Sequence, residues 1–263
     1  MYLNVDGHRV YAYTANRGLD AARPTVIFVH GAANDHGVWA LQSRYFAYHG
    51  WNALALDLPG HGRSGGAARS SVRELADWLA RVMDASSTAR AALVGHSMGS
   101  LIVLETAAAH ADRVSKIALI GIAVPMPVSE PLLDASRAND HLAYEMINVF
   151  AHGNAAQIGG NRVPGMWMLG NNMRLMERAA PGALYADFSA CNGYASGLEA
   201  AGKVQCPALL VLGQRDLMTP ARAARDVAAK LRDAKTITLP GAGHSLMAER
   251  PDEVLDALME FLT

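Results

Sequence analysis

The segment Ala91-Ala-Leu-Val-Gly-His-Ser-Met-Gly-Ser100 constrains this chain more than any other. Ala91 to Val94 is short, apolar and free of charge. Without polar alternation it suits a strand buried on both faces, as in a parallel sheet. Beyond Gly99, Leu101, Ile102, Leu104, Glu105 and a run of alanines up to His110 favour helix. A buried strand therefore has to become a helix within Gly95-His96-Ser97-Met98-Gly99. A turn that tight presses neighbouring backbone together, and glycine on either side of Ser97 leaves no Cβ to obstruct it. The Ser97 hydroxyl then sits at the positive end of the helix, beside N–H groups with no intrahelical acceptor.

The rest of the chain alternates in the same way. Residues 2–14 read as a hairpin about Asp6-Gly7, and Pro24 opens a strand over 25–29 that ends at His30-Gly31. Val38, Leu41, Tyr45 and Phe46 recur at helical spacing over 38–49, and 53–56 is a buried strand leading into the glycine-rich loop 57–65. Ser71 with Glu74 forms a capping box at the start of a helix whose apolar stripe is Val72, Leu75, Leu79 and Val82. The next strand runs over 114–122. Residues 123–203 then hold no buried-strand run, and helical spacing there is broken by Pro, Gly and Asn. Strands resume at 207–212 and 236–239, with Thr219-Pro220 as a helix start and Pro251-Asp-Glu opening the last helix.

The chain has 263 residues, the size of one large domain or of a core carrying an insertion. With 51% hydrophobic residues it can bury a substantial core, and a formal net charge of −1 steers it toward neither nucleic acid nor an anionic membrane. Cys191 and Cys206 belong to no CxxC pair or Cys/His cluster; a disulfide between them is one reading, and two buried free thiols in a reducing compartment is the expected one. No basic-then-apolar leader opens the chain, and no apolar run reaches the ~18 residues that cross a bilayer. The expectation is a soluble, cytoplasmic protein with no nucleic-acid or membrane partner.

Strand, tight serine turn and helix together resemble the nucleophile elbow of the α/β-hydrolase family, and the resemblance covers essentially the whole chain. It implies an α/β fold: a mostly parallel, doubly covered sheet of about eight strands, with a helical cap inserted after the sixth. The core is then 1–122 and 204–263, and the cap 123–203. Reactive groups of such sheets gather in loops after the strands. Asp216 follows the strand ending at Leu212, and His244 follows the one ending at Leu239, 28 residues after Asp216. The order Ser97, Asp216, His244 is the order the family uses for nucleophile, acid and base.

The resemblance also implies an oxyanion hole made by the backbone N–H of Met98 and, from His30-Gly-Ala-Ala33, that of Ala32. It implies a serine hydrolase that cleaves a carboxylic ester of a small or medium-sized substrate through an acyl-enzyme, with no cofactor. Aspartate-dependent relatives, the epoxide hydrolases and haloalkane dehalogenases, are disfavoured by serine at 97. Carbon–carbon (meta-cleavage product) hydrolases share the triad and rank second. A low-turnover ligand sensor is the alternative from another class.

Five other histidines have plainer expected places. His96 points into the protein, and His30 is a buried group tying the loop that follows it. His61 lies in Pro59-Gly-His-Gly-Arg-Ser64, which resembles a family loop motif with an architectural role, and His36 and His49 lie on a loop and a helix surface. None has a metal partner at helical spacing, so no metal is expected. In the cap, Trp167 with Met166 and Met168 is a candidate wall of the substrate pocket. Trp39 is expected in the core.

Overall fold

The computed structural model describes residues 1–160 and 165–263; residues 161–164, within the expected insertion, lie outside the described residues. The first hairpin is β1 (Tyr2–Val5) and β2 (His8–Tyr13), followed by β3 (Thr25–Val29), α1 (Ala40–Tyr48) and β4 (Asn52–Leu56). Helix α2 (Val72–Ala85), β5 (Ala91–His96), α3 (Met98–Ala109) and β6 (Val114–Ile120) come next. Then come α4 (Glu130–Arg137), α5 (Leu142–Ala151), α6 (Asn154–Gln157), α7 (Met168–Met176), α8 (Ala183–Gly193) and α9 (Gly197–Lys203), with no strand between them among the described residues. The chain closes with β7 (Ala208–Gly213), α10 (Arg225–Lys230), β8 (Ala234–Leu239), α11 (Leu246–Glu249) and α12 (Pro251–Leu262).

The strands form one eight-stranded sheet, ordered β1-β2-β4-β3-β5-β6-β7-β8, antiparallel at the β1-β2-β4 end and parallel from β4 onward. Successive side chains of a strand point to opposite faces, and here both faces are apolar. Ile27, Leu93, Leu119 and Leu210 join a core with α2, α3, α9 and α10. Val26, Val94, Ala118 and Val211 join a second core with α1, α11 and α12, which also buries Trp39. This is why β3, β5 and β7 lack polar alternation. The helical segment between β6 and β7 is not separate from these layers, because Cys191, Ala200 and Ala201 pack in the first core.

Local boundaries moved where turns intervene. The helix expected over 38–49 begins as a 3-10 turn at His36, where the Asp35 carboxylate accepts from Gly37 N–H at 2.7 Å. The strand expected to reach Ile122 stops at Ile120, because Gly121 takes a φ of +61°. Ser71 caps α2, accepting from Glu74 N–H at 3.4 Å. Both cysteines are free and buried. Among the described residues, no helix is long and apolar enough to cross a membrane.

Polar contacts pin the β6–β7 helical segment to the loops that follow β3 and β4. Asp187 of α8 accepts from Ala33 N–H at 2.8 Å and pairs with His61 at 2.9 Å, and Arg178 pairs with Asp35. Burial disfavours a charged His61 ring, but the Asp187 carboxylate more than offsets this by charge and hydrogen bond, so the His61 pKa is raised. A raised histidine pKa stabilises the fold fully below its unfolded value, and the contribution fades as pH rises through the folded value.

Asp187→Asn should lower Tm by about 5 °C at pH 6 and by clearly less at pH 9; a loss independent of pH would show that no charge interaction is involved. A Cβ at Gly99 would lie 2.3 Å from the Val29 carbonyl oxygen, whereas at Gly202 in α9 it would meet nothing within 4 Å. Gly99→Ala should therefore lower Tm by ~10 °C or prevent folding, and Gly202→Ala should be neutral or slightly stabilising. Thermal melts of the two variants side by side check this.

Candidate active site

Ser97 lies between the end of β5 and the start of α3 with φ 52° and ψ −121°, a left-handed conformation that costs a non-glycine residue on the order of 1–3 kcal/mol. Surrounding contacts hold it there. Ser97 N–H donates to Ile120 O at 2.9 Å, and a Cβ on Gly95 would strike the Gly99 carbonyl at 2.2 Å. Although Ser97 occupies the N-cap position, its side chain makes no capping bond. It lines a cavity instead.

The loops after β7 and β8 bring Asp216 and His244 together. His244 Nδ1 and Asp216 Oδ2 are 2.7 Å apart, both residues are buried, and His244 lines the same cavity as Ser97. A carboxylate only accepts, so Nδ1 carries the proton and Nε2 is the free ring nitrogen. No hydrogen bond joins Ser97 to His244 in this conformation, among the described residues. Asp216 Oδ1 accepts from Met218 N–H at 2.9 Å and Thr219 N–H at 2.8 Å, and Oδ2 lies 2.7 Å from the Thr219 hydroxyl. Burial pushes the Asp216 carboxyl up, but the adjacent His244 and these donors outweigh it, leaving the pKa below the usual carboxylate value.

The His244 loop is braced from three directions. His96 Nε2 donates to the His244 carbonyl at 2.9 Å, and the two rings pack with centroids 4.7 Å apart. Ala151 O, at the end of α5, accepts from both His244 N–H and Ser245 N–H at 2.8 Å. The buried Glu249 carboxylate accepts from Gly243 N–H at 3.0 Å and Gly153 N–H at 2.9 Å, joining the loop to the helical segment. Gly121 leaves room for the ring, since a Cβ there would lie 3.2 Å from His244 Nδ1.

Ala32 also lines the cavity. Its neighbours' N–H groups are engaged, Ala33 by Asp187 and Asn34 by Gly31 O, while that of Ala32 takes no acceptor among the described residues. Met98 is the first residue of α3; its side chain is in the core and its N–H lies at the helix start. Gly31 lets these two backbones approach, because a Cβ on it would be 3.0 Å from Ser97 Cβ.

Met166, Trp167 and Met168 do not line the cavity holding Ser97. They line a neighbouring one that shares Asn34, His96, Asn172 and Ser245 with it. The cause is local. Trp167 lays its ring over the first turn of α7, where a Cβ on Gly170 would meet it at 2.1 Å, and the residue stays 75% exposed. The walls around Ser97 come from Met126, Val128, Leu132, Ile147, Phe150 and Phe188. Ordinary apolar spacing gave no signal separating these from core residues.

His30 and His96 are buried and held neutral, near pKa 4 and 3, chiefly by burial and then by the neighbouring histidine in each case. His30 accepts from Leu58 N–H at 3.0 Å, joining the ends of β3 and β4. His49 stacks on Tyr45 at the end of α1. His36 is less superficial than a loop position suggests, because Asp57 Oδ1 accepts from both its N–H and its ring at 2.7 Å. Asp35, His36 and Asp57 converge within 4.8 Å, a spacing that metals use. Here Gly37 N–H, Arg178, His36 itself and Arg63 N–H engage the two carboxylates, and the cluster serves as a knot between loops.

The family model for the alpha/beta hydrolase fold matches residues 24–251. Among curated relatives, the pimeloyl-[acyl-carrier protein] methyl ester esterase of Chromobacterium violaceum is 31% identical, over 91% of this chain and 94% of its own length. The (E)-2-((N-methylformamido)methylene)succinate hydrolase of Acinetobacter baylyi is 24% identical, over 90% and 89%. The enol-lactonase of Burkholderia xenovorans LB400 superposes with a TM-score of 0.88 at 22% identity, covering 100% of this chain and 99% of that one. Sheet order, serine turn and family match agree, and the chain belongs to the α/β-hydrolase-fold family of hydrolases.

Proposed function

We propose that this protein hydrolyses carboxylic esters carrying an uncharged, apolar acyl group of small to medium size, through an acyl-enzyme on Ser97. The observation that supports it most is the meeting of Ser97 and His244 on one cavity, with Asp216 bonded behind the imidazole at 2.7 Å. Ser97 Oγ attacks the acyl carbon while His244 Nε2 takes its proton. The oxyanion that forms is held by the N–H groups of Ala32 and Met98. His244 returns the proton to the departing alcohol, then activates a water that releases the acid. Asp216 keeps Nδ1 protonated and the ring in line. The helical segment between β6 and β7 acts as a cap that keeps bulk water from the reacting atoms.

The cavity supports the acyl preference. It holds about 270 Å³, its walls are largely apolar, and among the described residues no Lys or Arg lines it. Burial holds the lining thiol of Cys191 far above the usual range and His96 far below it, so neither is charged near neutral pH. A carboxylate buried there without a partner costs several kcal/mol. The succinate named for the Acinetobacter baylyi relative carries such charges, which this cavity does not match.

A panel of p-nitrophenyl esters of rising acyl length, assayed with the wild type and Ser97→Ala, tests the mechanism. Saturable turnover that falls ~10⁴-fold in Ser97→Ala is expected. Activity within tenfold of wild type in that variant, or thermal stabilisation by ligand without turnover, would overturn it. Within the panel, an ester bearing a terminal carboxylate should have kcat/KM lower by ~10² or more than its neutral counterpart of equal length. Equal rates would remove the acyl preference and leave the mechanism standing.

A further inference from the structure

We infer that Thr219 is a positioning residue for the acid–base pair, its hydroxyl holding the Asp216 carboxylate and steering the His244 ring. This rests on the roles proposed above for Ser97, His244 and Asp216. Thr219 is buried, and its Oγ1 lies 2.7 Å from Asp216 Oδ2, 3.0 Å from His244 Nδ1 and 3.0 Å from Gly121 O. A hydroxyl has one proton to give, and the nearest acceptor, the charged one, is Oδ2. Asp216 then receives four donors: two backbone N–H groups on Oδ1, and the Thr219 hydroxyl with His244 Nδ1 on Oδ2. Four donors replace the water that a buried carboxylate has lost, which keeps it ionised behind the imidazole.

The same oxygen turns its lone pairs toward the Nδ1 proton, offering it a second acceptor 3.0 Å away. The ring is thereby limited in rotation about the Asp216 bond, and Gly121 and His96 limit it on other sides. Local sequence holds the hydroxyl in place. β-Branching restricts χ1, and Pro220 biases the residue before it toward extended backbone. The Thr219-Pro220 pair looks like a helix start in sequence. In the structure Pro220 is the N-cap of the 3-10 turn Ala221–Ala224, with no side-chain capping bond.

Thr219→Val keeps the shape and removes the hydroxyl; Thr219→Ser keeps the hydroxyl. With a p-nitrophenyl ester, Thr219→Val should lower kcat about 10- to 100-fold, the loss of one hydrogen bond to a charged group, with KM within about twofold. Thr219→Ser should restore kcat to within about threefold of wild type. A second readout is the downfield proton resonance of His244 Nδ1–H, assigned by its loss in His244→Ala. It should move in Thr219→Val, return in Thr219→Ser, and persist in Ser97→Ala, so it reports the contact apart from turnover. Wild-type kcat together with an unmoved resonance in Thr219→Val would overturn the inference. So would a serine variant no better than valine, which would make the role one of packing. If Thr219→Val does not fold by circular dichroism, Thr219→Ala takes its place and is read the same way. If ester turnover survives in Ser97→Ala, the proposed function falls, and the resonance still decides the role of Thr219.

Discussion

Backbone packed against backbone at the β5–α3 turn is the contact on which the rest depends. A Cβ at Gly99 would collide with the carbonyls of Val29 and His30, and one at Gly95 with the carbonyl of Gly99. With hydrogen in those places, α3 can start directly against the end of β3. Ser97 is then held at φ 52° with its side chain turned from the helix toward the cavity. The unfavourable backbone angle is sustained because the two apolar cores on either side of the sheet fix both flanking elements.

Around this point the protein uses polar contacts between distant segments to hold loops that have no core of their own. The His244 loop is tied to β5 through His96, to α5 through Ala151 and to α11 through Glu249. The loop after β3 is tied to α8 through Asp187. Each tie satisfies a buried N–H or carbonyl that would otherwise cost free energy. The helical segment between β6 and β7 thus shares its anchors with the site. His30 and His96, kept neutral by burial and by neighbouring histidines, serve as fixed hydrogen-bonding groups rather than as acids or bases near neutral pH.

Much of the fold was legible because it is written in short-range pattern. Charge-free runs such as Ala91–Val94 mark strands buried on both faces, and the Ser71–Glu74 spacing marks a helix start. Asp216 and His244 were legible as loop residues after strands, in the order of a known family. The cavity wall was not. Trp167 looked like a pocket residue by size, yet its ring covers Gly170, while Leu132, Ile147 and Phe188 look like any core residues and line the cavity. Thr219 was legible only as the residue before a proline.

The sequence by itself determined the alternation of elements, the glycine-flanked serine turn and the chain order of three chemically distinct side chains. These depend on φ/ψ preference and apolar period, which act within a few residues. Only the tertiary structure decided which groups meet. Asp187 reaches Ala33 across 154 positions, and His96 reaches the His244 carbonyl across 148. Such contacts follow from how strands are ordered in the sheet and how helices close over it, and no local preference encodes them.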